Sequence, residues 1–337
     1  MITQITRKEV IQGNQIIEYS MKNDYLEVRF LNIGGAITKI ALAEDGYEKN
    51  LVLNYQNLED YLTNGYYLNI IVGRTANRIT NGKFILNGKE FQVDINSDPH
   101  NLHGGAESLG NSFFDVVTTE DGYSLHTTLP HQENGFPGNL NVTVYYKLID
   151  NKLNICYKAL TDQTTIINLT QHAYFNLSGN LERTIYDHEL KIEAEKVAEI
   201  DETSGFTKNL IPVANTCFDF NTQTVINPEN KRAHYVFNHA GGYDHLYLLD
   251  PKTETPVVFK DPQSGRTLKI MTTEPAMQFY AGNYITDERL FENKRVGEKN
   301  LGACFETHKI PFDYESQILE QGEIYTQTTT FEFSIEL

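Results

Sequence analysis

Apolar and polar residues alternate with a period of two along much of this chain. "YLEVRFLN" (25–32) and "TTTFEFSIEL" at the carboxyl end both carry the pattern of a strand with one covered face. "GKFILNGKEFQV" sets Asn87-Gly88 between two short apolar runs and predicts a hairpin. "NVTVYYKLIDNKLNICYKAL" predicts a second one, turning near Asp150-Asn151. Helical periodicity is scarce. "NLEDYLTN" (57–64) fits a helix of about two turns, and "EKVAEI" reads either way. Many short strands joined by Gly, Asn and Asp turns predict an all-β sandwich or barrel. No Pro/Ser-rich linker, low-complexity tract or fixed-period repeat divides the chain. Residues 1–337 are therefore expected to form a single domain with large or heavily decorated sheets.

Composition narrows the partners. The 337 residues are 40% hydrophobic and 11% aromatic, enough to bury a sizeable core. Tyr is abundant, and its ring and hydroxyl suit sites that hold polar ligands. The formal charge of −17 repels phosphate backbones and anionic headgroups, so neither nucleic acid nor a membrane surface is expected as a partner. The amino end, "MITQITRKEVIQGNQ", lacks the basic start and apolar core of a signal peptide, and no apolar run approaches the roughly 20 residues of a membrane span. Cys156, Cys217 and Cys304 are odd in number and far apart. That spacing fits a reducing cytoplasm and argues against a disulfide framework or zinc ribbon. Without an export signal, the sequons at Asn141, Asn168 and Asn176 are chance matches.

Several chemistries lack their motifs. There is no phosphate loop, no dinucleotide fingerprint and no nucleophile elbow, "GAESLG" having the wrong spacing. His100 and His103 could chelate a metal on a helical turn, but "PHNLHGG" is a Pro/Gly-flanked loop with nothing nearby to complete a site, so no metal is expected. Four segments instead combine polar side chains with Gly and aromatic neighbours: "GRTANRI" (73–79), "NLHGG" (101–105), "NLTQHAYFNLSG" (168–179) and "GGYDHLYLL" (241–249). A fifth, "ACFETHKIP" (303–311), buries the single carboxylate Glu306 in an apolar run, which is costly unless it is paired or set in a cleft. This inventory suits a neutral polyhydroxylated ligand and proton transfer. On residues alone, His172 stands open between a core histidine and a site histidine.

These segments, with "NGFPGNLNVTVYYKL", "VANTCFDF" and "EPAMQFYAGNYI", occur in the order in which the aldose 1-epimerase (galactose mutarotase) family carries them, and the chain resembles that family over nearly its whole length. The resemblance implies a large antiparallel β-sandwich of the galactose mutarotase type with few short helices. It also implies interconversion of the α and β anomers of a free aldose such as galactose or glucose, without a cofactor. Ring opening needs a proton delivered to the ring oxygen and another removed from the C1 hydroxyl. By resemblance, His172 is the acid, titrating near neutrality, and Glu306 is the base. His103 is a second active-site histidine near the ring oxygen. Asn77, Arg78, Asp244 and Gln278 match sugar-hydroxyl contacts, and Tyr174 and Phe279 are candidates for the apolar face of the pyranose. The remaining histidines, among them His100, His245 and His308, read as structural or surface residues.

The chain departs from the family pattern after Glu306, where "ETHKIPFDYES" has His308 in place of a Gln and Phe312 before Asp313, and again at "SGFTKNLIP" before "VANTCFDF". Both departures bear on which aldose is used. Rival readings are a hexose-6-phosphate 1-epimerase, which needs more basic residues than Arg74 and Arg78, and a non-catalytic carbohydrate-binding protein, which would not need both His172 and Glu306. A glycosidase would need two carboxylates flanking the bond and would leave His172 without a task. A monomer or homodimer is expected.

Overall fold

The computed structural model describes residues 1–227 and 234–336. The alternating carboxyl-terminal run is strand Tyr325–Ile335, the middle member of a nine-stranded antiparallel sheet, lying between Lys152–Thr161 and Arg266–Thr272. Both predicted hairpins form. Leu140–Ile149 pairs with Lys152–Thr161 around Asp150-Asn151. Lys83–Leu86 pairs with Lys89–Gln92 around Asn87 and Gly88, both at positive φ as a tight primed turn requires. "NLEDYLTN" yields a 3₁₀ helix, Leu58–Thr63, and "EKVAEI" resolves as strand. The α-helix Tyr235–His239, which the hydrophobic pattern does not announce, is capped by His234. The all-β expectation holds.

A second sheet has six antiparallel strands, which we label β1 (Tyr174–Phe175), β2 (Ala194–Ile200), β3 (Phe206–Pro212), β4 (Asp244–Leu249), β5 (Ala276–Tyr280) and β6 (Ala303–His308), arranged β1-β6-β5-β4-β2-β3. One face packs on the nine-stranded sheet: Phe305 meets Phe259 at 5.1 Å and Phe175 meets Phe331 at 5.3 Å. A four-stranded sheet from residues 2–42 adds to the same core, with Phe30 edge-on to Tyr146 at 5.0 Å.

Every residue of β5 and β6 is buried, so both faces of these strands are covered. Period two then sorts the side chains. Met277, Phe279, Phe305 and Thr307 point into the sandwich, where Thr307 Oγ1 lies 2.6 Å from Thr329 Oγ1. Gln278, Tyr280, Cys304, Glu306 and His308 take the opposite face, which is roofed by loops.

Candidate active site

The stretch around His172 is fixed to that opposite face at both ends. Asn168 bonds the main chain of Lys309 in both directions, its Nδ2 donating to the carbonyl at 3.0 Å and its Oδ1 accepting the N–H at 2.9 Å. Tyr174 pairs with Cys304 through β1 and β6. Between these ties the His172 N–H donates to the Ile70 carbonyl at 2.9 Å, and the Asn69 N–H to the His172 carbonyl at 3.0 Å. The imidazole therefore stands over β6. Its Nε2 lies 3.4 Å from Glu306 Oε1, and its Nδ1 lies 3.4 Å from Cys304 Sγ. Only 5% of the His172 side chain and 2% of the Glu306 side chain reach solvent.

These two groups line a cavity of about 210 Å³ together with His103, Asn77, Arg78, Asp244, Gln278 and Tyr174. That is smaller than the roughly 300–1,000 Å³ of sites for drug-sized ligands and suits one small ring. Asn77 and His103 brace each other: the Asn77 N–H donates to His103 Nδ1 at 3.2 Å, and the His103 N–H to the Asn77 carbonyl at 3.1 Å. Both have positive φ, a conformation that Asn and His tolerate better than most residues. Because Nδ1 of His103 accepts, its Nε2 carries the proton and is a donor. Gly104, which follows, is required by close approach: a Cβ there would sit 2.5 Å from the Arg74 nitrogen. Farther along the wall, Asn77 donates to Gln278 Oε1 at 2.9 Å, and Gln278 donates to Asp244 Oδ1 at 2.6 Å. The chain of bonds fixes the amide orientations, leaving acceptors and donors on the wall.

Phe279 is a correction. It is fully buried on the core face of β5, stacked on Phe305 at 5.5 Å with an interplanar angle of 7°. Its neighbours Gln278 and Tyr280 point to the cavity, because successive residues of a strand face opposite sides. The aromatic lining comes instead from Tyr66, Tyr67, Tyr280 and Tyr284, none of them singled out by the sequence reading. Tyr67 stands edge-on to His103 at 4.7 Å, and Tyr174 lies 5.0 Å from His172. Reading "MQFY" with a strict period of two would have paired Tyr280 with Gln278.

The electrostatics follow from this burial. Burial pushes the Glu306 carboxyl well above its ordinary value, the Asp244 charge adds to the effect, and Arg78 opposes it. Burial pulls His172 down to about 4 against the lift of a backbone hydrogen bond, so the expectation of titration near neutrality does not hold in the free site. Burial, then the neighbouring His172 and Arg78, pulls His103 well down. Asp244 is raised by burial against the pull of Arg78. Ordinary Glu and His differ by about 2 pH units, or about 3 kcal/mol in proton affinity. Raising Glu306 while lowering His172 to about 4 reverses that order, so in the free site the proton of the pair belongs on Glu306.

The departing segments lie outside the cavity lining. His308 is fully buried behind Glu306 and donates from Nδ1 to the Lys309 carbonyl at 2.7 Å. Phe312 packs on Phe206, ring centres 5.3 Å apart, so the two departures touch each other. Arg74 also turns away: its guanidinium donates to the carbonyls of Pro137 and Gly138 and to Thr165 Oγ1. His100 is held by the Asn81 N–H at 3.1 Å and Thr203 Oγ1 at 2.8 Å. Ligand-type atoms of His103, His172 and Glu306 lie within 4.8 Å of one another and could hold a cation, but they are the same atoms available for moving protons.

The sequence profile described as aldose 1-epimerase matches residues 18–332. The galactose mutarotase of Mus musculus is 34% identical over 96% of this chain and 95% of its own length, and the Homo sapiens galactose mutarotase gives the same figures. The aldose 1-epimerase of Escherichia coli K12 is 31% identical over 87% of each chain. Among solved structures, a galactose 1-epimerase from Lactobacillus acidophilus superposes with a TM-score of 0.89 at 25% identity, covering 100% of this chain and 99% of that one. An aldose epimerase homologue from C. elegans gives 0.85 at 25% identity over 96% and 99%. The sandwich is thus of the galactose mutarotase type.

Proposed function

The chain belongs to the aldose 1-epimerase family, and from that premise we propose that His172 and Glu306 are the acid and base of its reaction. The enzyme is an isomerase that interconverts the α and β anomers of a free aldose. The assignment rests on one observation: His172 Nε2 and Glu306 Oε1 face each other at 3.4 Å on the floor of the cavity. The ring oxygen and the C1 hydroxyl sit on one carbon, so two groups this close can each reach one of them.

A single proton serves the pair. With the sugar bound and its ring closed, that proton passes from Glu306 to His172 across the 3.4 Å between them, giving the protonated acid and the ionised base. His172 Nε2 gives its proton to the ring oxygen while Glu306 takes the proton of the C1 hydroxyl, the C1–O5 bond breaks, and the aldehyde forms. Rotation about C1–C2 presents the other carbonyl face. Reclosure then returns both protons, leaving the enzyme unchanged. The inverted proton affinities suit this step, because a lowered His172 gives its proton up readily and a raised Glu306 takes one readily. His103 donates from Nε2 beside the ring oxygen. Arg78 donates to sugar hydroxyls, Asp244 accepts from them, and Asn77 and Gln278 present amides. Tyr174, with the other cavity tyrosines, covers the apolar face of the ring. No cofactor enters the scheme.

Charge favours a free sugar over a sugar phosphate. Among the described residues lining the cavity, Arg78 alone carries a permanent positive charge, because the Arg74 guanidinium is committed to carbonyls elsewhere. Three free cysteines, and a cavity built from segments spread between Gly65 and Glu306, support a single-domain cytoplasmic enzyme.

Polarimetry of freshly dissolved α-D-galactose or α-D-glucose tests the assignment. The protein should accelerate the drift to equilibrium, and His172→Asn and Glu306→Gln should each remove about 10²- to 10⁴-fold of that acceleration. A variant keeping near-normal rate refutes the role of that residue. Glucose 6-phosphate should be a poor substrate.

A further inference from the structure

The proton that His172 exchanges passes through Nε2, the atom facing Glu306. This puts a demand on the other nitrogen. The imidazolium carries protons on both. Once Nε2 has given its proton to the ring oxygen, the neutral ring must keep the remaining one on Nδ1. Otherwise Nε2 has no lone pair with which to take the proton back. Nδ1–H therefore needs an acceptor throughout the cycle, and with only 5% of the side chain exposed that acceptor must come from the protein.

The neighbour of Nδ1 is the Cys304 sulfur, 3.4 Å away and within reach for a sulfur hydrogen bond. Both side chains are buried, Cys304 completely. The placement follows from the fold: Cys304 is two residues before Glu306 on the same face of β6, and Tyr174, two residues after His172, is its strand partner. The geometry points to Cys304 as the positioning residue of His172, its sulfur accepting from Nδ1–H so that Nε2 faces the sugar in the tautomer the reaction needs. This rests on the reading of His172 as the proton donor.

The choice of a thiol has a consequence of its own. A carboxylate at Nδ1 would orient the ring but would also stabilise the imidazolium and weaken it as an acid. A neutral thiol is a weak acceptor that orients without adding charge. Burial holds the Cys304 thiol well above its ordinary pKa, and the Glu306 and Asp244 charges add to this, so the group stays neutral.

The test combines two variants with a spectrum. In wild-type protein labelled with ¹⁵N-histidine, His172 Nδ1 should be protonated at neutral pH, in the free form and with galactose bound. A bare Nδ1 overturns the proposal. Cys304→Ala should lower kcat about tenfold, the effect of one lost hydrogen bond, with KM little changed and a share of His172 moving to the Nε2–H tautomer. Cys304→Ser, whose hydroxyl can also accept, should restore kcat to within about threefold of wild type. An alanine variant with wild-type kcat, pH profile and spectrum overturns the proposal, as does a serine variant no better than alanine. If the alanine variant does not fold, the serine variant and the wild-type spectrum decide. Should His172→Asn itself keep full activity, the acid assignment fails. Should His172→Asn be inactive and Cys304→Ala normal, only the role of Cys304 fails.

Discussion

Residues 278 and 279 are adjacent in sequence and lie on opposite sides of a sheet, so substituting them one at a time should give opposite phenotypes. Phe279 stacks on Phe305, lies tilted against Tyr243 and meets Phe220 edge-on, at ring distances of 5.5, 5.4 and 6.0 Å. Aromatic pairs contribute about 0.5–1.5 kcal/mol each beyond their area. Phe279→Leu keeps most of the volume but loses all three pairs, so it should cost about 2–4 kcal/mol of stability, a large share of the 5–15 kcal/mol typical of a folded protein. Being on the far side of the sheet, it should leave kcat/KM within about threefold. Gln278→Ala removes the link between Asn77 and Asp244 and leaves an amide and a carboxylate short of a partner in the cavity wall. Each loss is worth about 1–3 kcal/mol, which should appear chiefly as weaker sugar binding, with KM raised about tenfold or more. Urea denaturation reads the first effect and polarimetry of α-D-glucose the second. If Phe279→Leu lowered kcat/KM tenfold or more with an unchanged urea midpoint, the sorting of β5 into a core face and a cavity face would be wrong.

Two further substitutions test other parts of the structure. Burial raises the Glu274 carboxyl to about 6, and its Oε2 has no hydrogen-bond partner among the described residues. A raised folded pKa gives stability that is present below the unfolded value and lost as pH rises through 6, here about 2 kcal/mol. Glu274→Gln should therefore gain up to about that amount at pH 8 and little at pH 4, as read by urea midpoints; equal effects at both pH values would refute it. Gly104→Ala forces a side chain into a backbone angle of φ +87° with its Cβ 2.5 Å from the Arg74 nitrogen. It should cost more than about 2 kcal/mol and, by moving His103, lower kcat/KM about tenfold, so an unaltered urea midpoint and rate would exclude the contact.

The legible parts of the fold were those written locally. Asn87-Gly88 and Asp150-Asn151 mark turns because the residues that tolerate positive φ are few. Strands with one wetter face, such as Tyr325–Ile335, show their period. β5 and β6 are buried on both faces, so hydrophobicity alone does not say which side is core and which is cavity, and the expectation of Phe279 against the sugar fails for that reason. The polar members of the site were nevertheless visible: an Arg, an Asp, a Glu and amides in otherwise apolar stretches are costly to bury without a task. The tyrosines of "NGYYLN" that wall the cavity gave no such signal, because a tyrosine in a turn is unremarkable until the fold brings it beside His103. Arg74 shows the converse. Two basic residues four apart look like one charged patch, yet one serves the cavity and the other neutralises carbonyl dipoles in a loop junction.

The ties on either side of His172 have a mechanical meaning. Asn168 clasps the backbone just beyond Glu306, and Tyr174 is paired to the strand just before it, so the acid and the base are mounted on one frame. Neither can approach or retreat without the other. The frame is the stator of this reaction, and the rotor is the sugar, whose C1–C2 bond turns while the two proton-carrying groups hold still.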